Sequence, residues 1–247
     1  MEEKQKKEKQ NNDEKKQEEK SKRDFGIDVE EMKKAGVHFG HQVSRAHPKM
    51  KPYLSATKNT IHFFDLEKTI EKFEQALEFI QELAKENKVL LLVGTKIQVK
   101  DLVKDFSAKN GTPYICERWL GGALTNFNVI LKRVEYYKSL EEQKEKGELE
   151  KYTKKERIKI DKEFQKLKTK FEGLKNLKQL PDAILVLDIK KDILPVKEAK
   201  MKNIKVIGIC DTNVDPSLVD YPILANDDAI SSVKYILDKV QEVMTKK

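Results

Sequence analysis

From residue 60 onward the apolar positions alternate between two periods. Thr60-Ile-His-Phe-Phe64 reads as a strand, and Leu66–Asn87 as an amphipathic helix with Ile70, Phe73, Leu77, Ile80 and Ala84 on one stripe. Val89–Val93 is a continuous apolar run closed by Gly94, the mark of a buried parallel strand. A helix over Ile97–Lys109, stopped by Gly111, leads to a third strand at Pro113–Cys116. After residue 180 the rhythm resumes with strand Ala183–Leu187, helix Leu194–Met201, strands Val206–Ile209 and Pro222–Leu224, and a last helix Asp227–Met244. This alternation predicts an α/β fold, a doubly wound, mostly parallel sheet of flavodoxin-like type. Ahead of it, Asp28 caps a short helix ending at Ala35 and Gly36, and Gly36–Lys58, broken by Pro48 and Pro52, reads as a loop.

The middle of the chain breaks the rhythm. Phe127, Ile130, Val134 and Tyr137 are spaced 3, 4, 3, and Ile160, Phe164, Leu167, Phe171 and Leu174 are spaced 4, 3, 4, 3. Two such seams around a polar, Gly147-containing stretch predict an inserted antiparallel helical hairpin, a coiled coil over residues 132–178. The α/β body is then 24–131 plus 179–247. Residues 1–23 hold one apolar side chain, Met1, and are expected to be a disordered, charged extension.

Charge sharpens this division. The net charge of +8 is not spread evenly. Residues 1–23 hold 9 basic and 7 acidic side chains, residues 132–178 hold 16 and 10, and the body holds 25 of each. The longest apolar runs span five residues, against the roughly 20 of a transmembrane helix, so no membrane association is expected. No apolar signal segment opens the chain, and Cys116 and Cys210 form neither a CxxC nor a disulfide framework, so a cytoplasmic protein is expected.

Four groups of residues could carry chemistry. Between Lys33 and His62 stand Lys33, Lys34, Arg45, Lys49, Lys51, Lys58 and all four histidines, without one acidic residue. Such a segment suits a polyanion, each cation displacing a condensed counterion; a solvated loop is the alternative. His38-x-x-His41 is not helical between Gly36 and Gly40, but a divalent ion held by His41, Asp188 and Asp211 at the strand ends is an open alternative to a protein without cofactor. Arg118 and Trp119 beside Gly121-Gly122 suit phosphate contact or a stacked base, or else the indole anchors the hairpin base with Thr125 or Asn126 capping the next helix. Val93-Gly94-Thr95-Lys96 opens a helix at a strand end, where backbone amides favour anions, yet it is no P-loop. Asp211-Thr-Asn-Val-Asp215-Pro and Asn226-Asp-Asp offer carboxylates for an α/β enzyme, or turn and cap chemistry.

These motifs, in order, carry a family resemblance. Gly36–Gln42 (GVHFGHQ), Pro48–Tyr53 (PKMKPY), Asn59–Leu66 (NTIHFFDL), Val93–Lys96 (VGTK), Arg118–Asn126 (RWLGGALTN), Leu180–Asp182 (LPD), Asp211–Pro216 (DTNVDP) and Asn226–Ala229 (NDDA) closely resemble the bacterial S-two family of small-subunit ribosomal proteins. The resemblance runs from about Phe25 to Val243. It implies a structural, non-enzymatic protein that binds small-subunit ribosomal RNA near the head–body junction, contacts neighbouring ribosomal proteins and supports docking of the mRNA-binding protein S-one. No small-molecule substrate is implied. Onto this chain it carries His41, Arg45, Lys49, Lys51, Lys96, Arg118 and Trp119; the hairpin's basic face adds Lys132 and Arg133. Ser44, Ala46, Ile97 and Ala123 depart from the family pattern, removing a charge and an aromatic ring from the loop after His41.

Overall fold

The computed structural model describes residues 25–245, so the extension 1–23 lies outside the described residues. Its centre is a five-stranded sheet: β4 (Leu90–Val93), β5 (Tyr114–Ile115), β6 (Ala183–Val186), β7 (Lys205–Cys210) and β8 (Tyr221–Leu224). The strands are parallel throughout and lie in the order β5-β4-β6-β7-β8. Numbered within the sheet, this is the order 2-1-3-4-5 of flavodoxin-like folds, with the strand order switching between the neighbours β4 and β6.

Strand periodicity explains why both faces are covered. Leu90, Leu92, Ala183, Leu185, Ile207 and Ile209 point to one side, where they pack with α1 (Val29–Ala35), α2 (Leu66–Lys85), α3 (Lys100–Asn110) and α7 (Ile230–Thr245). Leu91, Val93, Ile184, Val186 and Val206 point to the other, beneath α4 (Phe127–Glu145), α5 (Lys154–Phe171) and α6 (Ile193–Met201). The predicted stripe of α2 is the one that is buried, through Phe73, Leu77 and Ile80; each such side chain contributes about 1.5–3 kcal/mol. Caps fix both ends of α1 as expected: Asp28 accepts from the Glu30 amide at 3.0 Å at its start, and Gly36 adopts φ 76° at its end.

Three expectations need correction. Gly36–Lys58 is not a loop. It contributes β1 (Phe39–Gln42) and β2 (Leu54–Lys58), which flank β3 (Ile61–Phe64) in a separate antiparallel sheet of order β1-β3-β2. β1 and β2 are short, each pairing carries a register shift, and β2 is exposed along most of its length, so no clean alternation marked these two. The strand at residue 60 therefore belongs to this small sheet and not to the parallel one. The last helix begins at Ile230, because Asn226 Oδ1, and not Asp227, accepts from the Asp228 and Ala229 amides. Thr125 and Asn126 do not cap α4 with their side chains either.

The helices α4 and α5 touch at one pair of rings. Tyr137 and Phe164 are buried with ring centroids 5.5 Å apart, and Lys144 pairs with Asp161 at 2.8 Å.

Candidate nucleic-acid interface

The small sheet presents the acid-free segment. Lys33 and Lys34 end α1, Arg45 ends the 3-10 turn Val43–Arg45, Lys49 and Lys51 lie in the turn Pro48–Tyr53, and Lys58 ends β2; all six are exposed. Lys49 alone of these is ion-paired among the described residues, to Asp215 at 2.6 Å with Ser217 Oγ at 2.9 Å. That ammonium and the Ser217 hydroxyl hold the Asp215 carboxyl well below its ordinary range. The sheet is locked onto the body through Thr212. Its hydroxyl accepts from the His41 amide at 2.8 Å and its carbonyl from the His47 amide at 2.8 Å. A Cβ at Gly40 would stand 2.4 Å from Thr212 Cγ2, so glycine is what permits this contact.

Behind the sheet, at the carboxyl ends of the parallel strands, lies a charge cluster. His41 Nδ1 meets Asp211 at 3.0 Å and Nε2 meets Asp228 at 3.3 Å. Lys96 Nζ meets Asp227 and Asp228 at 2.8 Å each and Asp188 at 3.0 Å. The hydrogen bond to Asp211 raises the His41 pKa. Burial alone would lower that of Lys96, but Asp227 and Asp228 hold it above the usual range. Burial, with Asp188 and Asp211 beside it, pushes Asp227 up to about 7. The cluster borders a recess of about 230 Å³.

The geometry changes the reading of Lys96 and of the ion site. His41, Asp227 and Asp228 offer ligand atoms within 4.8 Å of one another, a different set from His41, Asp188 and Asp211. The cation these carboxylates already hold is the Lys96 ammonium. Lys96 is thus an internal counter-ion for three carboxylates, not a free phosphate ligand. The anion-binding amides of the same turn are also engaged, since Asp192 accepts from the Thr95 amide at 3.2 Å and from its hydroxyl at 2.8 Å.

The glycine-bearing turn after β5 shows the same arrangement. Glu198, buried on α6, accepts from Trp119 Nε1 at 3.0 Å and from the amides of Gly122 at 2.8 Å, Leu124 at 3.0 Å and Thr125 at 3.2 Å. Burial pushes the Glu198 carboxyl up, but these bonds outweigh it and hold it below its ordinary value. Trp119 is 7% exposed. The stacked-base expectation for Trp119 is therefore corrected: its face lies in the core and its polar edge is satisfied internally. Arg118 beside it is exposed, as are Lys132 and Arg133 on α4.

Residues 32–246 match the family model for ribosomal protein S2. Similar proteins include the small ribosomal subunit protein uS2 of Dictyoglomus thermophilum and that of Dictyoglomus turgidum, each 44% identical over 218 residues, covering 88% of this chain and 89% of theirs. The uS2 of Coprothermobacter proteolyticus is 42% identical over 88% of this chain and 81% of its own. The chain belongs to the ribosomal protein S2 family.

Membership of the S2 family makes it a structural ribosomal protein and not an enzyme. The carboxylates that suggested catalysis have structural partners here: Asp188 binds Lys96, Asp211 binds His41 and Thr212, and Asp215 binds Lys49. No helix among the described residues is long and apolar enough to cross a membrane. Sequence reasoning missed Asp192 and Glu198, the two acceptors that fill the S2 turns. Their only signal was a pair of acidic residues within the otherwise apolar and basic stretch Ile193–Met201 and its entry, which does not reveal what they face.

Proposed function

We propose that this S2-family chain is a structural constituent of the small ribosomal subunit that grips ribosomal RNA through its small antiparallel sheet and adjoining basic surface, serving translation in the cytoplasm. One observation supports this most directly. Lys33, Lys34, Arg45, Lys51 and Lys58 are all exposed and, among the described residues, none has an ion-pair partner within 4.0 Å. Unpaired cations on a segment without carboxylates neutralise phosphates without first breaking internal pairs. Readout is of shape and phosphate, since duplex RNA offers side chains little base information.

Lys49, Lys132 and Arg133 belong to the same proposed surface, Arg118 is a proposed RNA contact at the turn after β5, and His41, Lys96 and Trp119 position the surface from behind. The proposed division places the body in 24–131 and 179–247 and a basic coiled-coil hairpin in 132–178. Placement near the head–body junction and support for docking of protein S-one rest on the family resemblance. The test replaces Arg45, Lys51 and Lys58 by Ala together. Co-sedimentation with small subunits at moderate salt is expected to fall while the melting profile stays native; unchanged co-sedimentation overturns the assignment.

A further inference from the structure

A second cluster of cations, outside the small sheet, converges on a groove of about 210 Å³ where the end of α5 meets the edge strand β5. Lys104 reaches it from α3, Arg118 from the turn after β5, and Lys168 and Lys170 from α5; Tyr114 and Cys116 form its floor. Four cations therefore meet two carboxylates, Glu117 and Glu172. Glu117 is already neutralised by its pairing with Lys100. Glu172 lies 3.8 Å from Lys168 on the same stretch of helix. Lys104, Arg118 and Lys170 are left without a carboxylate within 4.0 Å among the described residues.

The groove is a built feature of the fold. Gly173 packs directly on β5, where an added Cβ would stand 2.2 Å from the Tyr114 carbonyl oxygen. No larger residue allows the helix end to seat that closely, and this seating brings Lys168 and Lys170 opposite Arg118. A recess several times the roughly 30 Å³ of a water molecule, polar in lining and rimmed by unpaired cations from three separated segments, fits a tetrahedral anion better than an apolar group. A guanidinium at the rim can hold two oxygens of one phosphate.

We infer that this groove binds a backbone phosphate of RNA, a contact separate from the small sheet, which ties α5 and the sheet edge to the same strand. The inference rests on the proposed function and extends it to a second site. The probe is small-subunit ribosomal RNA of the source organism transcribed in vitro, bound to the full chain across a salt series. Lys104→Ala, Arg118→Ala and Lys170→Ala combined should lower the salt slope by about one for each phosphate no longer neutralised, and weaken binding by at least about tenfold near ~0.1 M salt. Arg118→Lys in the otherwise native chain should keep the slope but bind several-fold more weakly, since an ammonium replaces the fork. Lys170→Glu, a single exposed change, should weaken binding at least as much as Lys170→Ala.

A groove variant that matches the native chain in slope and affinity, while the Arg45, Lys51, Lys58 variant weakens, overturns the groove alone. A native chain that binds this RNA no better than an unrelated RNA of equal length at every salt overturns the proposed function and the groove with it.

Discussion

Trp119 and Glu198 meet across 79 residues of chain, the indole N–H donating to the carboxylate at 3.0 Å. Around that one bond the Arg118–Asn126 turn arranges its amides, so that a glutamate of the protein occupies the position an external anion would take. Removing the acceptor strands several buried donors at once. Glu198→Ala is expected to cost about 3–5 kcal/mol, the range for breaking a buried charged network by one partner. Trp119→Phe, which removes a single hydrogen bond but keeps most of the packing, should cost about 1–3 kcal/mol. Urea unfolding followed by circular dichroism measures both; equal costs would show that the carboxylate is not the organising centre of the turn.

Gly40 and Thr212 set how closely the small sheet approaches the body. Thr212 is buried and β-branched, and its hydroxyl is held by the His41 amide and Asp211, so it has little room to retreat. Gly40→Ala should therefore destabilise by about 1–3 kcal/mol, the usual cost of overpacking. Amide exchange should show faster opening concentrated in β1 and β3, and a change spread evenly over the parallel sheet would contradict the local account.

The turn between β2 and β3 carries strain. Asn59 and Thr60 have φ of 49° and 64°, and for a β-branched residue the left-handed region is unfavourable by about 1–2 kcal/mol. Thr60→Gly should relieve this and raise stability by up to ~1 kcal/mol, after allowance for the freer unfolded chain. A fall in the urea midpoint would refute the reading.

Asp227 makes stability depend on pH in a defined direction. Its folded pKa is raised to about 7, so the folded state holds a proton more tightly than the unfolded chain. That contribution favours folding most at low pH and is lost as pH rises from the unfolded value through about 7. The raised pKa of His41 acts in the same direction, while the lowered one of Asp228 adds stability above its unfolded value and loses it only in acid. Asp227→Asn should consequently gain melting temperature relative to the native chain between pH 5 and pH 8. A difference constant with pH would remove Asp227 as its source.

These features differ in how visible they were along the chain. The parallel strands and α2 are written in local periods, Val89–Val93 as an unbroken apolar run and Phe73, Leu77 and Ile80 as a helical stripe, and each side chain went where its period pointed. Of the small sheet only β3 was legible; β1 and β2 were not, because they are short, irregular in register and at least half exposed, so local pattern and final structure are only loosely coupled there. The exposure of the basic side chains agrees with their pattern along the chain, whereas the turns misled. Thr95 and Gly122 have the composition of anion-binding loops, but the partners of their amides, Asp192 and Glu198, lie 97 and 76 positions away. Only the tertiary fold decides whether such a loop stays open to a ligand. The same holds for Lys96, whose three carboxylates arrive from β6 and from the segment before α7.

The two self-supplied acceptors beside α6 change what the fold offers to its surroundings. A sheet of this topology ordinarily leaves vacant sockets above its strand ends, and a nucleotide or metabolite completes them. Here Asp192 and Glu198 satisfy the amides of two such turns from within. Those loops are thereby self-completing: their shape is set by the chain and not by a guest.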